Sequence, residues 1–102
     1  MSNVSTEILR LLGGRKFLFI TGAMGSASVV GGENYLQFSL PRGCSKNKAT
    51  KVIIRLETND TYTMIFYKWS HSDLIEIETI ADIYVDTLQE IFTNRTGLYT
   101  SL

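Results

Sequence analysis

Hydrophobic and polar residues change their spacing several times along the chain, and each change marks a predicted element. Near the start, apolar residues follow helical spacing over residues 4–12. Asn3 or Ser5 is available as an N-cap, and Gly13-Gly14 ends the pattern. The spacing therefore predicts a short amphipathic helix at the N-terminus.

The middle of the chain predicts β-strands. A continuous apolar run at residues 17–20 has strand length and fits a central strand. Period-two alternation then predicts four more strands, over residues 35–40, 51–57, 61–69 and 74–79. Turn chemistry at residues 58–61 and 70–73 predicts hairpins between the last three of these strands.

Two segments between the strands read as loops. Residues 21–34 are rich in Gly, Ser and Ala, and residues 42–50 are polar and basic after Pro41 ends the preceding strand.

A second helical stripe lies near the C-terminus. It consists of Tyr84, Leu88, Ile91 and Phe92. Gly97 supplies the residue type that most often takes the left-handed position after a helix, and Leu98 would pack back on the last turn.

These elements occur in the order α-β-β-β-β-β-α, and the later loops are too short for parallel crossovers. We therefore predict an α+β fold, with an antiparallel sheet of four to five strands and both helices packed on one face. A length of 102 residues fits one domain, residues 1–102. Alternation assigns six residues to the helix side of the sheet: Val52, Ile54, Leu56, Tyr62, Met64 and Phe66.

Composition narrows the range of partners. Hydrophobic residues make up 44% of the chain, which is ordinary for a globular domain. Ten basic and ten acidic residues give zero formal net charge, which argues against a whole-molecule polyanion binder and against an acidic mimic of DNA. The single cysteine, Cys44, cannot form an intramolecular disulfide. One cysteine and one histidine, His71, cannot form a tetrahedral zinc site from thiolate and imidazole, so we expect no metal.

The N-terminal segment has no charged region followed by a long apolar region, and no apolar run approaches the ~20 residues that span a bilayer. We expect an intracellular, soluble protein with no membrane contact.

A strand followed by a glycine-rich loop, KFLFITGAMGSASVVGG at residues 16–32, raises the question of a phosphate site. The loop lacks the lysine of a P-loop and the G-x-G-x-x-G spacing, and the next predicted element is a strand rather than a helix. We therefore expect no nucleotide and no cofactor. A small nucleotide-binding or nucleotide-sequestering protein remains an alternative, in which residues 21–34 close on a ligand rather than only connect two strands.

Catalytic residues have little support in the sequence. His71 lies between two serines and near Asp73, but neighbours in a tight turn cannot adopt the geometry of nucleophile, base and orienting acid. Alternation places Glu76 and Glu78 on one strand face, where they could pair for acid–base chemistry, although an exposed acidic stripe on an edge strand is the simpler interpretation. We predict a protein without catalytic residues.

The sheet face turned away from the helices is the predicted binding surface. It interleaves aromatic, aliphatic and basic residues, and so much apolar surface is expected to be covered. The predicted partner-binding residues, including one from a nearby basic loop, are Tyr35, Lys48, Lys51, Ile53, Arg55, Ile65, Tyr67 and Trp69. A second copy, a different protein or single-stranded nucleic acid could cover this face, as could the glycine-rich loop or the C-terminal residues. Zero net charge favours self-association or a protein partner over nucleic acid.

Both ends of the chain carry familiar segments, LGGRKFLFITGA and YVDTLQEIFTNRTGLYTSL. Together with LQFSLPRG, NKATKVIIRL and DTYTMIFY, they resemble a family of small proteins encoded by bacteriophages, prophages and other bacterial mobile elements. In that family a lysine and an asparagine often follow TGA, where this chain has Met24-Gly25. The resemblance implies a phage origin and the cytoplasm of a bacterial host, and it brings no activity or site residue with it.

The prediction is thus a non-catalytic phage accessory protein that binds a macromolecular partner, either a host or defence protein or a second copy, through its sheet face. The first alternative is a module for single-stranded nucleic acid that uses Tyr67, Trp69, Lys51 and Arg55.

Overall fold

The structure contains the predicted sheet and both predicted helices. It is a computed structural model of the 102-residue chain, and it describes residues 3–14, 29–40 and 46–97. The elements are α1 (Asn3–Leu12), β1 (Val29–Gly31), β2 (Tyr35–Ser39), β3 (Lys51–Leu56), β4 (Tyr62–Ser70), β5 (Asp73–Ile83) and α2 (Leu88–Thr96). The five strands form one antiparallel sheet in the order β1-β2-β3-β4-β5. The α+β prediction is confirmed.

The first strand of the described sheet is not the predicted one. Residues 21–34 were expected to form only a loop, yet Val29–Gly31 at the end of this segment pairs with β2 as β1. The reason is that two β-branched valines precede the glycines, and they favour extended backbone. The strand predicted at residues 17–20 lies outside the described residues, as do Cys44 and Leu98.

Both helices pack on the same face of the sheet. Ile8 and Leu12 of α1 and Phe92 of α2 are fully buried in one cluster with the inward side chains of β2, β3 and β4. The rings of Phe38 and Phe92 meet with centroids 5.9 Å apart, which is within the range of favourable aromatic pairs. The predicted assignment of sheet faces is confirmed, because Val52, Ile54, Met64 and Phe66 lie in this core.

Strand β5 departs from simple alternation at two places. Phe66 pairs with Glu78 and Tyr67 pairs with Glu76, so Ile77 is an extra residue opposite no β4 partner. The prediction that Glu76 and Glu78 share one face is therefore wrong. The bulge directs Glu76 to the open side of the sheet and Glu78 to the helix side, where its Oε2 lies 3.6 Å from Nε of Arg95 on α2.

Strand β5 runs further along the chain than predicted, and the C-terminal helix begins later. Between Ile80 and Ile83, β5 has one residue more than the facing part of β4, and Asp82 in this stretch has φ of 56°. The strand ends only at Ile83. Tyr84 was predicted to begin the helical stripe, but it lies before α2 and is 63% exposed. The backbone N–H of Thr87 donates to the carbonyl of Tyr84 in a turn, and the helix begins only at Leu88.

The ends of the helices follow the predicted signals in part. Gly97 ends α2 in the left-handed conformation with φ of 75°, and its N–H donates to the carbonyl of Thr93. Since α1 begins at Asn3, Ser5 lies inside the helix and is buried, so it is not the N-cap. No helix within the described ranges is long and apolar enough to cross a bilayer.

Candidate functional site

The side of the sheet away from the helices, here called the open face, is built from cross-strand rows. One row contains Tyr35, Arg55 and Thr63, and the next contains Val30, Gln37, Ile53, Ile65 and Thr79. The third row contains Ser39, Lys51, Tyr67 and Glu76, and beyond it Trp69 lies opposite Leu74. Seven of the eight predicted site residues therefore share this face, because the strands pair in register.

Exposure on the open face increases from its centre toward the hairpin that joins β4 and β5. Ile65 is only 9% exposed and the adjacent Thr63 only 6%, so the centre is already buried within the chain. Tyr67 is half-buried, whereas Trp69 is 53% exposed. Ile65 therefore offers a partner little surface, contrary to its prediction as an exposed contact. The half-buried residues around it, Tyr35, Lys51, Ile53 and Arg55, offer more.

Tyr35 is held in place by a glycine of the glycine-rich segment. The Gly32 N–H donates to the Tyr35 carbonyl at 2.9 Å, and the Tyr35 ring occupies the space that a β-carbon at position 32 would need. A side chain at Gly32 would collide with ring carbons Cδ1, Cε1 and Cζ. In the described end of this segment, the glycine thus serves the packing of an aromatic ring.

Arg55 is already engaged with an acidic neighbour. Its Nε donates to Oε1 of Glu57 at 2.6 Å, and both side chains are partly exposed. An exposed pair of this kind contributes on the order of 0–1 kcal/mol to stability. Its main effect here is to neutralise Arg55, which weakens any positive potential on the open face.

The third row places opposite charges on either side of an aromatic ring. Lys51 on β3 and Glu76 on β5 both pair with Tyr67 on β4. Glu76 accepts a hydrogen bond from Thr79 Oγ1 at 2.9 Å, and Lys51 has no ion pair to any residue in the described ranges. The open face therefore carries a positive charge on one side of β4 and a negative charge on the other.

Residues 46–50 position Lys48 and Trp69 at one end of the open face. The N–H of Ala49 donates to Oδ1 of Asn47, and Lys48 has a left-handed φ of 64° and is exposed. Thr50 then accepts the backbone N–H of Trp69 at its Oγ1, at 3.3 Å. Lys48 and Trp69 are thus brought to the same end of the sheet, although Lys48 precedes β3 and does not lie in a strand.

Sequence reasoning missed part of the exposed apolar surface. Ile75 and Ile77 are 42% and 37% exposed, and neither was among the predicted site residues. The pairing of β3 with β4 stops at Tyr67, whereas β5 accompanies β4 to Ser70, so the hairpin projects past β3. The pattern of a single strand carries no signal of where its neighbour ends.

The residues considered for catalysis are not arranged for it. His71 and Ser72 form the turn of the β4–β5 hairpin with φ of 53° and 86°, and both are exposed. Between residues 46 and 97, no hydrogen bond or ion pair joins His71 to Asp73. No group of three or more metal-ligating side chains occurs among the residues that the structure describes.

Comparison with known proteins gives no relative: no family model, no curated protein and no solved structure matches the chain. Function must therefore be inferred from the residues themselves.

Proposed function

We propose that the protein is a non-catalytic accessory protein that binds a macromolecular partner, either another protein or a second copy of itself, through the open face. The observation that carries this proposal is the exposed Trp69 beside half-buried Tyr67 and Lys51, at the end of the open face nearest the β4–β5 hairpin. Tryptophan, tyrosine and isoleucine surrounded by charged residues are typical of the centres of protein interfaces.

A protein partner fits the charges better than nucleic acid does. Lys51 is balanced by Glu76 in the same row, and Arg55 is balanced by Glu57. Nucleic-acid binding would require a surplus of positive charge along the groove, because its affinity comes largely from phosphate contacts.

The resemblance of the chain ends to phage and prophage proteins supports two further parts of the proposal. The protein would be of phage origin and would act in the cytoplasm of a bacterial host. A host protein or a defence protein is then a plausible class of partner, since accessory proteins of mobile elements act on the cells that carry them.

The test is recovery of the tagged protein from infected cells, with nuclease treatment, followed by identification of what co-purifies. Trp69→Ala and Tyr67→Ala should each reduce recovery of a specific partner, because they remove aromatic contact area from the proposed interface. Tyr84→Ala is the matched control, since Tyr84 is also an exposed aromatic residue but lies after β5. Equal recovery with all variants, together with no self-association, would contradict the proposal.

Single-stranded nucleic acid is the second candidate, and the exposure of Trp69 is the observation that favours it. A base stacked on an aromatic ring contributes roughly 1–3 kcal/mol. Under this alternative, an oligonucleotide should quench the fluorescence of Trp69, and the affinity should fall steeply as salt concentration rises. Absence of quenching at low salt would exclude it.

A further inference from the structure

We propose that the outer edge of β5 next to the hairpin, residues 73–76, binds an extended segment of another protein in which two basic residues flank two apolar ones. The segment would join the sheet as one more strand, using the backbone N–H and C=O groups that an outermost strand leaves unpaired. This site is an edge of the sheet and not the open face, so the inference goes beyond the proposed function and does not depend on it.

Strand β5 has the position that such an addition requires. With 11 residues it is the longest strand, and within the described sheet it has a neighbour, β4, on one side only. Its first four residues pair regularly with β4, from Asp73 opposite Ser70 to Glu76 opposite Tyr67. The bulge at Ile77 comes only after them, so this stretch presents a regular backbone to an added strand.

The side chains of this stretch alternate between the two sides of the sheet. Asp73 and Ile75 lie on the helix side, and Leu74 and Glu76 lie on the open face. Ile75 is exposed and Leu74 is half-buried, so apolar surface is available on both sides. An added strand would therefore place one apolar residue next to Leu74 and another next to Ile75.

The charges at the two ends of the stretch select a basic partner. Neither Asp73 nor Glu76 forms an ion pair with any residue in the described ranges, and β5 contains no basic residue. Lys68 lies on β4, so β5 separates it from the added strand. Opposite charges directly across a strand pair stabilise the pair, whereas like charges destabilise it. The two acids therefore oppose pairing with the same edge of a second copy and favour a segment with the pattern basic, apolar, apolar, basic.

The test is a titration of the isotopically labelled protein with two short peptides, followed by NMR of the β5 backbone amides. The basic peptide is acetyl-Thr-Lys-Val-Val-Lys-Thr-amide, and its matched control has both lysines replaced by glutamate. The basic peptide should shift the signals of residues 73–76 and slow their hydrogen exchange, and its affinity should exceed that of the acidic peptide by about fivefold or more.

A charge switch in the protein provides the reciprocal measurement. The double variant Asp73→Lys, Glu76→Lys should lose the basic peptide and bind the acidic one, and this binding also shows that the variant is folded. Glu90→Lys, at an exposed position on α2, is the control and should leave both affinities unchanged.

If the two acids serve only to keep other strands away, neither peptide should bind the original chain at millimolar concentration, and that result would overturn the inference. Equal affinities of the two peptides, or shifts confined to other strands, would overturn it as well.

Discussion

Gly32 shows how one residue of a glycine-rich segment can be required for packing. Replacing it with alanine would force the methyl group into the ring of Tyr35, which must move or distort the turn between β1 and β2. We expect Gly32→Ala to lower the free energy of unfolding by about 1–3 kcal/mol, the usual cost of overpacking. Urea unfolding would measure this loss.

The control for that prediction is the removal of the ring. If the collision causes the loss, Gly32→Ala should cost much less in a Tyr35→Ala background, and the two changes should not be additive. Additive losses would show that the glycine is needed for its backbone alone.

Tyr62 should make the free energy of unfolding depend on pH in the alkaline range. Burial raises the pKa of its phenol above 10.0, with smaller contributions from Glu7 and Asp60. The neutral phenol is favoured in the folded state. This contribution to the free energy of unfolding is therefore fully present below pH 10 and is lost as pH rises through the folded pKa. Tyr62→Phe should therefore flatten the fall in unfolding free energy above about pH 10, measured by urea titration at several pH values. Identical profiles for the two proteins would contradict this assignment.

At the scale of elements, the turn of the β4–β5 hairpin uses residue types that fit it poorly. His71 and Ser72 both have positive φ, where Asn and Gly are strongly preferred in two-residue hairpin turns. The double variant His71→Asn, Ser72→Gly should raise the free energy of unfolding by roughly 0.5–1 kcal/mol. Thermal denaturation followed by circular dichroism would measure the gain. Ser70→Gly, inside the extended strand, is the control and should lower stability instead.

The elements themselves were largely predictable, because helical and period-two spacing identified α1, β2, β3, β4 and their inward faces. The errors cluster in β5, where Glu-Ile-Glu alternates perfectly in the sequence and yet Ile77 is a bulge. Which residue is extra depends on the pairing with β4, and this information is not contained in the strand's own pattern. The prediction that Tyr84 belongs to the helical stripe is wrong for the same reason. Tyr84 has helical spacing to Leu88, but it follows a strand that runs further than its alternation indicated.

The sequence predicted which residues of the candidate site share one side of the sheet, but not how exposed each of them is. Alternation placed Lys51, Ile65, Tyr67 and Trp69 on one side of the sheet, and register confirms that they lie together. Their accessibility differs greatly because the exposed fraction of a side chain depends on its neighbours across several strands and on the ends of those strands. Ile65 is enclosed at the centre, while Trp69 lies on the part of the hairpin that projects past β3.

At the scale of the whole molecule, both helices and the sheet share one core, so they should unfold together. Phe92→Ala removes a fully buried ring that contacts Phe38 across the helix–sheet interface. We expect a loss of about 3–5 kcal/mol in the free energy of unfolding. Circular dichroism and the fluorescence of the single tryptophan, Trp69, should report the same lowered midpoint. Separate midpoints would show that α2 can detach while the sheet persists.

The sheet order β1-β2-β3-β4-β5 repeats the order of synthesis. As a nascent chain leaves the ribosome, each later strand of this sheet can therefore join the edge of the one just made. Among the elements that the structure describes, the contact of α1 with α2 spans nearly the whole chain. The apolar side of α1 therefore lacks that neighbour until translation is almost complete. Early in synthesis, this first helix is the segment that a chaperone would most readily hold.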